Sequence, residues 1–210
     1  VNAFITGTDT EIGKTFATAL LTRALRAAGK PAIALKPFCC GPRDDVETLA
    51  AASGHTLSLD ETNPVWLHTP AAPLAAAAAE KRTISLEPLR DWFRLLSSKH
   101  PSLLVEGAGG WLVPITETET IADLAALLAL PVIVVVPNRL GCLNHTLLTL
   151  ESIRARGLHC PGVILNHPAP PEGEAARTNA AILSRHTRIL LEISHHQESL
   201  PTTALEAFDF

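Results

Sequence analysis

The chain is short of charge, of basic clusters and of long apolar runs, and each shortage removes a class of function. Only 18% of its 210 residues are charged, the formal net charge is −4 and the pI lies near 6.1. No segment concentrates Lys and Arg, which argues against a nucleic-acid partner. No run of 18 apolar residues exists, and even the stretch Ile121 to Val136 is interrupted by Asp123 and Pro131, so no membrane span is expected. The first residues, Val1-Asn2-Ala3-Phe4-Ile5-Thr6, read directly as a strand with no basic leader or cleavage site, which predicts a cytoplasmic protein. Cys39, Cys40, Cys142 and Cys160 form no C-x-x-C pair and no metal-type spacing with His, so reduced thiols are expected. Methionine and tyrosine are absent altogether, and no physical consequence follows from that.

What is present suits a buried α/β sheet. Apolar residues make up 47% of a length that fits one domain, residues 1–210, and neither repeat nor linker is visible. Val1 to Ile5, Pro31 to Leu35, Leu103 to Val105, Val132 to Val136, Val163 to Leu165 and Ile189 to Leu191 read as strands. Between them, helical patterns run over Lys14 to Ala28, Asp45 to Ala52, Leu86 to Ser97, Ile121 to Ala129, Cys142 to Arg156 and Glu172 to Arg185. The run Val132-Ile133-Val134-Val135-Val136 lacks polar alternation, as strands buried on both faces do. The expected fold is therefore three-layered α/β, a mainly parallel sheet with helices on both faces. Pro70 to Ala79 reads as a packed helix, His167 to Pro171 as a stiff loop, and the tail from Ser194 as irregular.

The first strand feeds Gly7-Thr8-Asp9-Thr10-Glu11-Ile12-Gly13-Lys14-Thr15, a phosphate-binding loop that opens a helix. Backbone N–H groups and the positive helix end converge there. Lys14 is placed to reach the β/γ-phosphates, and the Thr15 hydroxyl to bind Mg²⁺. Five residues rather than four separate the two glycines, so this is a variant P-loop.

Other candidates also follow strand ends, where open α/β sheets bind ligands. Glu106 ends a buried strand and precedes Gly107-Ala108-Gly109-Gly110; in a P-loop protein a Mg²⁺-binding acid belongs there. Asp44 and Asp45 stand at a helix start, where carboxylates often serve as caps. With Thr15 and Glu106, Asp45 would instead complete an oxygen-rich metal shell. A lysine at a strand end is ordinarily solvated, but Lys36 shares its face with Lys14, and two cations suit charge developing on a transferred phosphoryl group. The segment from Pro137 to His145 could hold a carboxylate on exposed N–H groups, or be an ordinary helix start with an Asn cap. Asn166 either meets a base edge or caps the following turn.

Together these segments resemble the dethiobiotin synthetase family. The resemblance rests on the widened P-loop, Lys36-Pro37, Val105-Glu106-Gly107-Ala108-Gly109-Gly110-Trp111 followed by Val113-Pro114, and Leu140-Gly141-Cys142-Leu143-Asn144-His145. It runs from the first strand to about Asn166. It implies a seven-stranded, mainly parallel sheet in a homodimer that closes a cyclic urea on 7,8-diaminononanoate with CO2, ATP and Mg²⁺. By that resemblance Glu11, Ile12, Gly13, Lys14, Thr15 and Phe16 take the phosphates, and Gly107, Ala108 and Gly109 border the nucleotide. Thr15, Asp45 and Glu106 hold Mg²⁺, Lys36 and Lys14 serve catalysis, and Asn166 reads adenine. Thr10, Lys36 and Cys40 meet the diamine, and Gly141, Cys142, Leu143 and Asn144 of the partner subunit hold its carboxylate.

Three departures stand out. Cys40 replaces a usual Ser and is a weaker donor. Arg139 replaces a Lys, and Ile193-Ser194-His195 stands where an Ile-Pro adenine loop is usual. Two readings compete with the ligase: a nucleotide-switch ATPase, which needs a membrane-targeting helix or basic patch, and a degenerate family member kept as a binding module.

Overall fold

A computed structural model describes residues 1–170 and 172–208. Six strands form the main sheet: β1 (Asn2–Gly7), β2 (Ile33–Leu35), β5 (Leu103–Glu106), β6 (Val132–Pro137), β7 (Gly162–Asn166) and β8 (Ile189–Ile193). Their order is β2-β5-β1-β6-β7-β8 and every pairing is parallel. Alternate residues of β6 serve opposite faces: Val132, Val134 and Val136 enter one apolar cluster, Ile133 and Val135 the other. That explains the unbroken apolar run, because neither face meets water.

On the first face lie α5 (Glu87–Ser97), α6 (Ile121–Leu128) and α7 (Cys142–Ala155), contributing Leu89, Phe93, Leu124, Leu150 and Ile153. On the second lies α1 (Lys14–Ala27), with Leu20, Leu21 and Leu25 against Ala3 and Ile5. The helix α2 (Asp44–Ala52) carries Asp44, Asp45 and Glu47 in its first turn, where carboxylates favour the positive helix end. The helix α8 (Gly173–Leu183) connects β7 to β8.

The structure corrects four expectations. The six strands read from the sequence are those of the main sheet among the described residues, whereas the resemblance implied seven. A separate parallel pair, β3 (Phe38–Cys40) and β4 (Val65–Leu67), was not visible in the sequence pattern. Pro37 has no N–H to give a ladder, so the chain leaves the main sheet after Leu35 and begins a new strand at Phe38. Between them sit α2 and a short helix, α3 (Leu59–Thr62), started by reciprocal Ser58 and Glu61 hydrogen bonds. The Ala-rich segment does form a helix, α4 (Pro73–Ala79), beginning three residues later than expected. The tail is not wholly irregular: Thr202–Phe208 form a 3₁₀-helix whose Leu205 and Phe208 pack on the α1 face of the sheet. Of the expected loop at 167–171, Pro171 lies outside the described residues. No helix among the described residues is long and apolar enough to cross a membrane.

Candidate functional site

The phosphate loop leaves the central strand, β1, where the strand order turns back on itself. Gly7 and Gly13 are required by geometry. A Cβ on Gly7 would lie 2.5 Å from Ile12 Cδ1, and one on Gly13 would lie 2.3 Å from Asn166 Nδ2. Gly13 also holds φ +88, which L side chains rarely adopt. Ile12 is buried, whereas Thr10 and Glu11 on the widened part of the loop stay exposed. Lys14 Nζ donates to the Asp9 carbonyl at 2.8 Å, and the Thr10 N–H donates to Asp9 Oδ1 at 2.8 Å.

Beside this loop three elements bring together the predicted polar residues. Thr15 Oγ1 donates to Glu106 Oε1 at 2.7 Å, and Lys36 Nζ donates to the same oxygen at 2.7 Å. Lys36 also pairs with Asp45. The Lys36 backbone is fixed from both sides: its N–H donates to the Thr62 carbonyl at 2.9 Å, and Asn63 Nδ2 donates to its carbonyl at 2.8 Å. Glu106 is fully buried, and its Oε2 has no hydrogen-bond partner.

Electrostatics follow from that packing. Burial lowers the Lys14 ammonium to about 8, with Glu106 opposing and the Lys36 charge reinforcing the shift. Burial acts against the Lys36 ammonium too, but Glu106 and Asp45 outweigh it and raise its pKa. Burial raises the Asp45 carboxyl, yet the Lys36 charge and hydrogen bond prevail and lower it. Lys36 and Asp45 each hold the other in its charged form.

Two adjoining cavities open on this cluster. One, about 460 Å³, is lined by Glu11 to Thr15 and by Asp44. The other, about 520 Å³, reaches Phe38, Cys40 and the turn Pro70 to Pro73. Thr10, Glu11, Lys36, Asp45 and Gly109 line both. The widened loop is therefore a wall shared by two chambers.

Not every predicted residue joins them. Ala108 borders the larger cavity, but Gly107 is buried, where a Cβ would meet Ile121 and Phe4 at 2.9 and 3.2 Å; its role here is packing. Phe16 sits on the exposed side of α1. Asn166 does not cap the turn after β7: its Nδ2 donates back to the Ile12 carbonyl at 2.9 Å, leaving a buried, unpartnered Oδ1. Gly141 to Asn144 line neither cavity. Gly141 begins α7 with φ 91 and no side-chain cap, so the expected Asn cap is absent. Cys142 is buried in the core, which leaves only its backbone for any ligand. All four cysteines are free.

Sequence reasoning missed two supports. Arg43, which bonds to Asp60 at 2.9 Å and lies 4.7 Å over the Trp66 ring, ties the start of α2 to β4. Pro70 to Pro73 form the far wall of the larger cavity, and neither segment carries a catalytic residue type that could have revealed it. For a metal, Thr15, Asp45 and Glu106 offer hard oxygens. Among the described residues no three His, Cys, Asp or Glu side chains gather as a metal site, here or elsewhere.

A family model described as an AAA domain matches residues 2–200. The ATP-dependent dethiobiotin synthetase BioD of Akkermansia muciniphila is 39% identical over 206 residues, 97% of each chain. The protein of the same name from Anaeromyxobacter dehalogenans is 45% identical over 188 residues, 88% of this chain and 84% of that one. Among solved structures, the septum site-determining protein MinD of Pyrococcus horikoshii with Mg-ADP is similar at TM-score 0.58 and 18% identity, across 98% of this chain and 85% of that one. The MinC:MinD complex of Aquifex aeolicus gives TM-score 0.60 at 14% identity, covering 98% and 86%. Identities this low speak for the fold alone, the three-layer arrangement of P-loop NTPases.

Proposed function

The chain belongs to the ATP-dependent dethiobiotin synthetase family, and from that premise we propose how its own side chains carry the reaction. It is a ligase of biotin biosynthesis that converts 7,8-diaminononanoate, CO2 and ATP into dethiobiotin, ADP and phosphate. The observation that supports the site assignment is the shared wall: Thr10, Glu11, Lys36 and Asp45 border both a phosphate-loop chamber and a chamber with apolar sides. ATP takes the first and the diamine the second.

An alkyl amine has a pKa near ~10.4, so at neutral pH about one molecule in a thousand or fewer is nucleophilic. Lys14 and Lys36, at the boundary of the chambers, disfavour a further ammonium and so favour the neutral amine. That amine adds to CO2 and loses its proton, giving a carbamate. A carbamate oxygen then attacks the γ-phosphorus and ADP departs. The second amine attacks the carbonyl of the resulting mixed anhydride, phosphate leaves, and the ring closes. Lys14 and Lys36 neutralise charge on the transferring phosphoryl group, and the shared wall holds the reactants at attack distance.

Mg²⁺ fits the hydroxyl of Thr15 and the carboxylates of Asp45 and Glu106. The buried, unpartnered Glu106 Oε2 supports this, because an orphan carboxylate oxygen is costly without a cation. When bound, Mg²⁺ supplies positive charge to the phosphate oxygens. The free Oδ1 of Asn166, oriented by the Ile12 contact, supports a role as acceptor for the adenine amino group. Homodimerisation is part of the proposal: Leu140, 87% exposed, precedes α7 and Leu148, 57% exposed, lies within it, and the Gly141 to Asn144 backbone at its start would reach a partner's substrate. So is a cytoplasmic location.

Incubation with 7,8-diaminononanoate, bicarbonate, ATP and Mg²⁺, followed by mass detection, should yield dethiobiotin. Folded protein without product would overturn the reading.

A further inference from the structure

The Lys36 ammonium rests on oxygens of the residues assigned to the metal. It donates to Glu106 Oε1 at 2.7 Å and pairs with Asp45, while Thr15 Oγ1 approaches the same Glu106 oxygen at 2.7 Å. No other lysine or arginine forms an ion pair with Glu106 or Asp45 among the described residues. The carboxylates and the lysine come from separate elements: Glu106 ends β5, Asp45 lies in the first turn of α2, and Lys36 follows β2. Their convergence on one ammonium is a tertiary arrangement, not a local helix pair.

We propose that Lys36 is a built-in placeholder cation: divalent metal and the Lys36 ammonium compete for Glu106 and Asp45, so metal entry releases Lys36 into the reaction chambers. The inference rests on the ligand assignment above. A divalent ion on those carboxylates would stand within a few ångströms of Nζ, where like charges repel strongly in a buried setting. Lys36 has somewhere to go, because its side chain already lines both cavities while its backbone is clamped by Thr62 and Asn63. Released, the ammonium is no longer neutralised by two carboxylates and can meet phosphoryl or carbamate oxygens. Without metal, it compensates the charge of a carboxylate with no exposed surface. One residue thereby protects the metal site and responds to its filling.

The competition is testable without turnover. Mn²⁺ binding to the nucleotide-free protein, followed by loss of the free-ion paramagnetic resonance signal, should tighten by about tenfold or more in Lys36→Met, since a competing charge is gone. Equal or weaker binding than in the unsubstituted protein would overturn the proposal. Adding Glu106→Gln to Lys36→Met should remove the gain; if the gain survives, the ligand assignment itself fails. Should Lys36→Met not fold, the unsubstituted protein decides the matter through side-chain resonances of ¹³C-labelled lysine. The Lys36 Cε signal should shift with Mg²⁺ along the metal-binding curve, and a signal that stays in place while metal saturates the site would overturn the displacement.

Discussion

The two ends of the proposed nucleotide site are built differently. At the phosphate end, Lys14, Lys36 and Glu106 are buried and fixed by β1, β2 and β5 at the centre and one edge of the sheet. At the proposed base end, beyond β7 and β8, the buried amide of Asn166 precedes in the chain a loop in which the Ser194 N–H is held by Gln197 Oε1 at 2.9 Å and His196 is exposed with φ 56. The charged end is tightly tied: Lys36 holds Glu106 and Asp45, Glu106 Oε1 accepts from both Thr15 and Lys36, and Lys14 donates to the Asp9 carbonyl. The base end depends on few groups. Chemistry should therefore be brittle at the first end, while nucleotide preference should be adjustable at the second.

The sharpest way to break this contrast is Lys36→Ala. Loss of a preorganised cation from a charge-transfer site costs about 10²- to 10³-fold in kcat, while ADP affinity should stay within a few-fold. Wild-type turnover in that variant would remove Lys36 from catalysis. Glu106→Gln comes next. It keeps the shape but withdraws the negative charge that Lys36 and Thr15 share, and the Mg²⁺ concentration for half-maximal activity should rise about tenfold or more. An unchanged metal titration would reject Glu106 as a ligand.

Asn166→Ala probes the base end. Losing one buried acceptor is worth about 1–3 kcal/mol, so the preference for ATP over GTP should fall by roughly 5- to 100-fold, with a smaller effect on kcat at saturating ATP. Competition kinetics with the two nucleotides measure this directly. Asn166 Nδ2 also holds the Ile12 carbonyl of the phosphate loop. If Asn166→Ala weakened tripolyphosphate binding as much as ATP binding, the two ends would be one unit and the contrast would collapse.

Lys14 supplies a pH test. Its pKa, lowered to about 8 by burial, rises when phosphates arrive, because anions favour the ammonium. Below the free value both states carry the proton; above it the complex holds a proton that the free enzyme lacks. ADP binding should therefore take up close to one proton near about pH 9 and none near about pH 6.5, where the terminal phosphate of ADP instead gives up part of its own, read from calorimetry in buffers of different ionisation enthalpy. Equal uptake at both values would mean that Lys14 is not shifted.

The same contrast explains what could be read from the sequence. Lys36 and Glu106 could be singled out because a strand-end position and a charged residue type coincide at each, and Asp45 because it stands at a helix start near Lys36 in the chain. The run Val132 to Val136 announced two buried faces. What stayed hidden depends on residues without a chemical label. Phe38 to Cys40 and Val65 to Leu67 are too short for periodicity to register, and their pairing joins segments 27 residues apart in register. The cavity wall at Pro70 to Pro73 looked like the beginning of a packed helix. Leu205 and Phe208 needed the α1 face of the sheet before their spacing had meaning.

The smallest expected effect concerns the wall that the sequence concealed. Cys40 is half-buried beside Pro70 to Pro73 in the larger cavity, and burial pushes its thiol up to about 11, so it remains protonated and offers only a weak hydrogen bond. A hydroxyl of similar size is a better donor in the same place. Cys40→Ser should lower the KM for the diamine by about two- to threefold, a few tenths of a kcal/mol, and leave kcat and nucleotide affinity unchanged. The sign is informative. A lower KM would mean that position 40 touches a polar group of the substrate and that cysteine there weakens the contact. A higher KM would mean that the apolar thiol packs against the aliphatic chain, placing the amines at the Lys36 end of the chamber and the methylenes along β3.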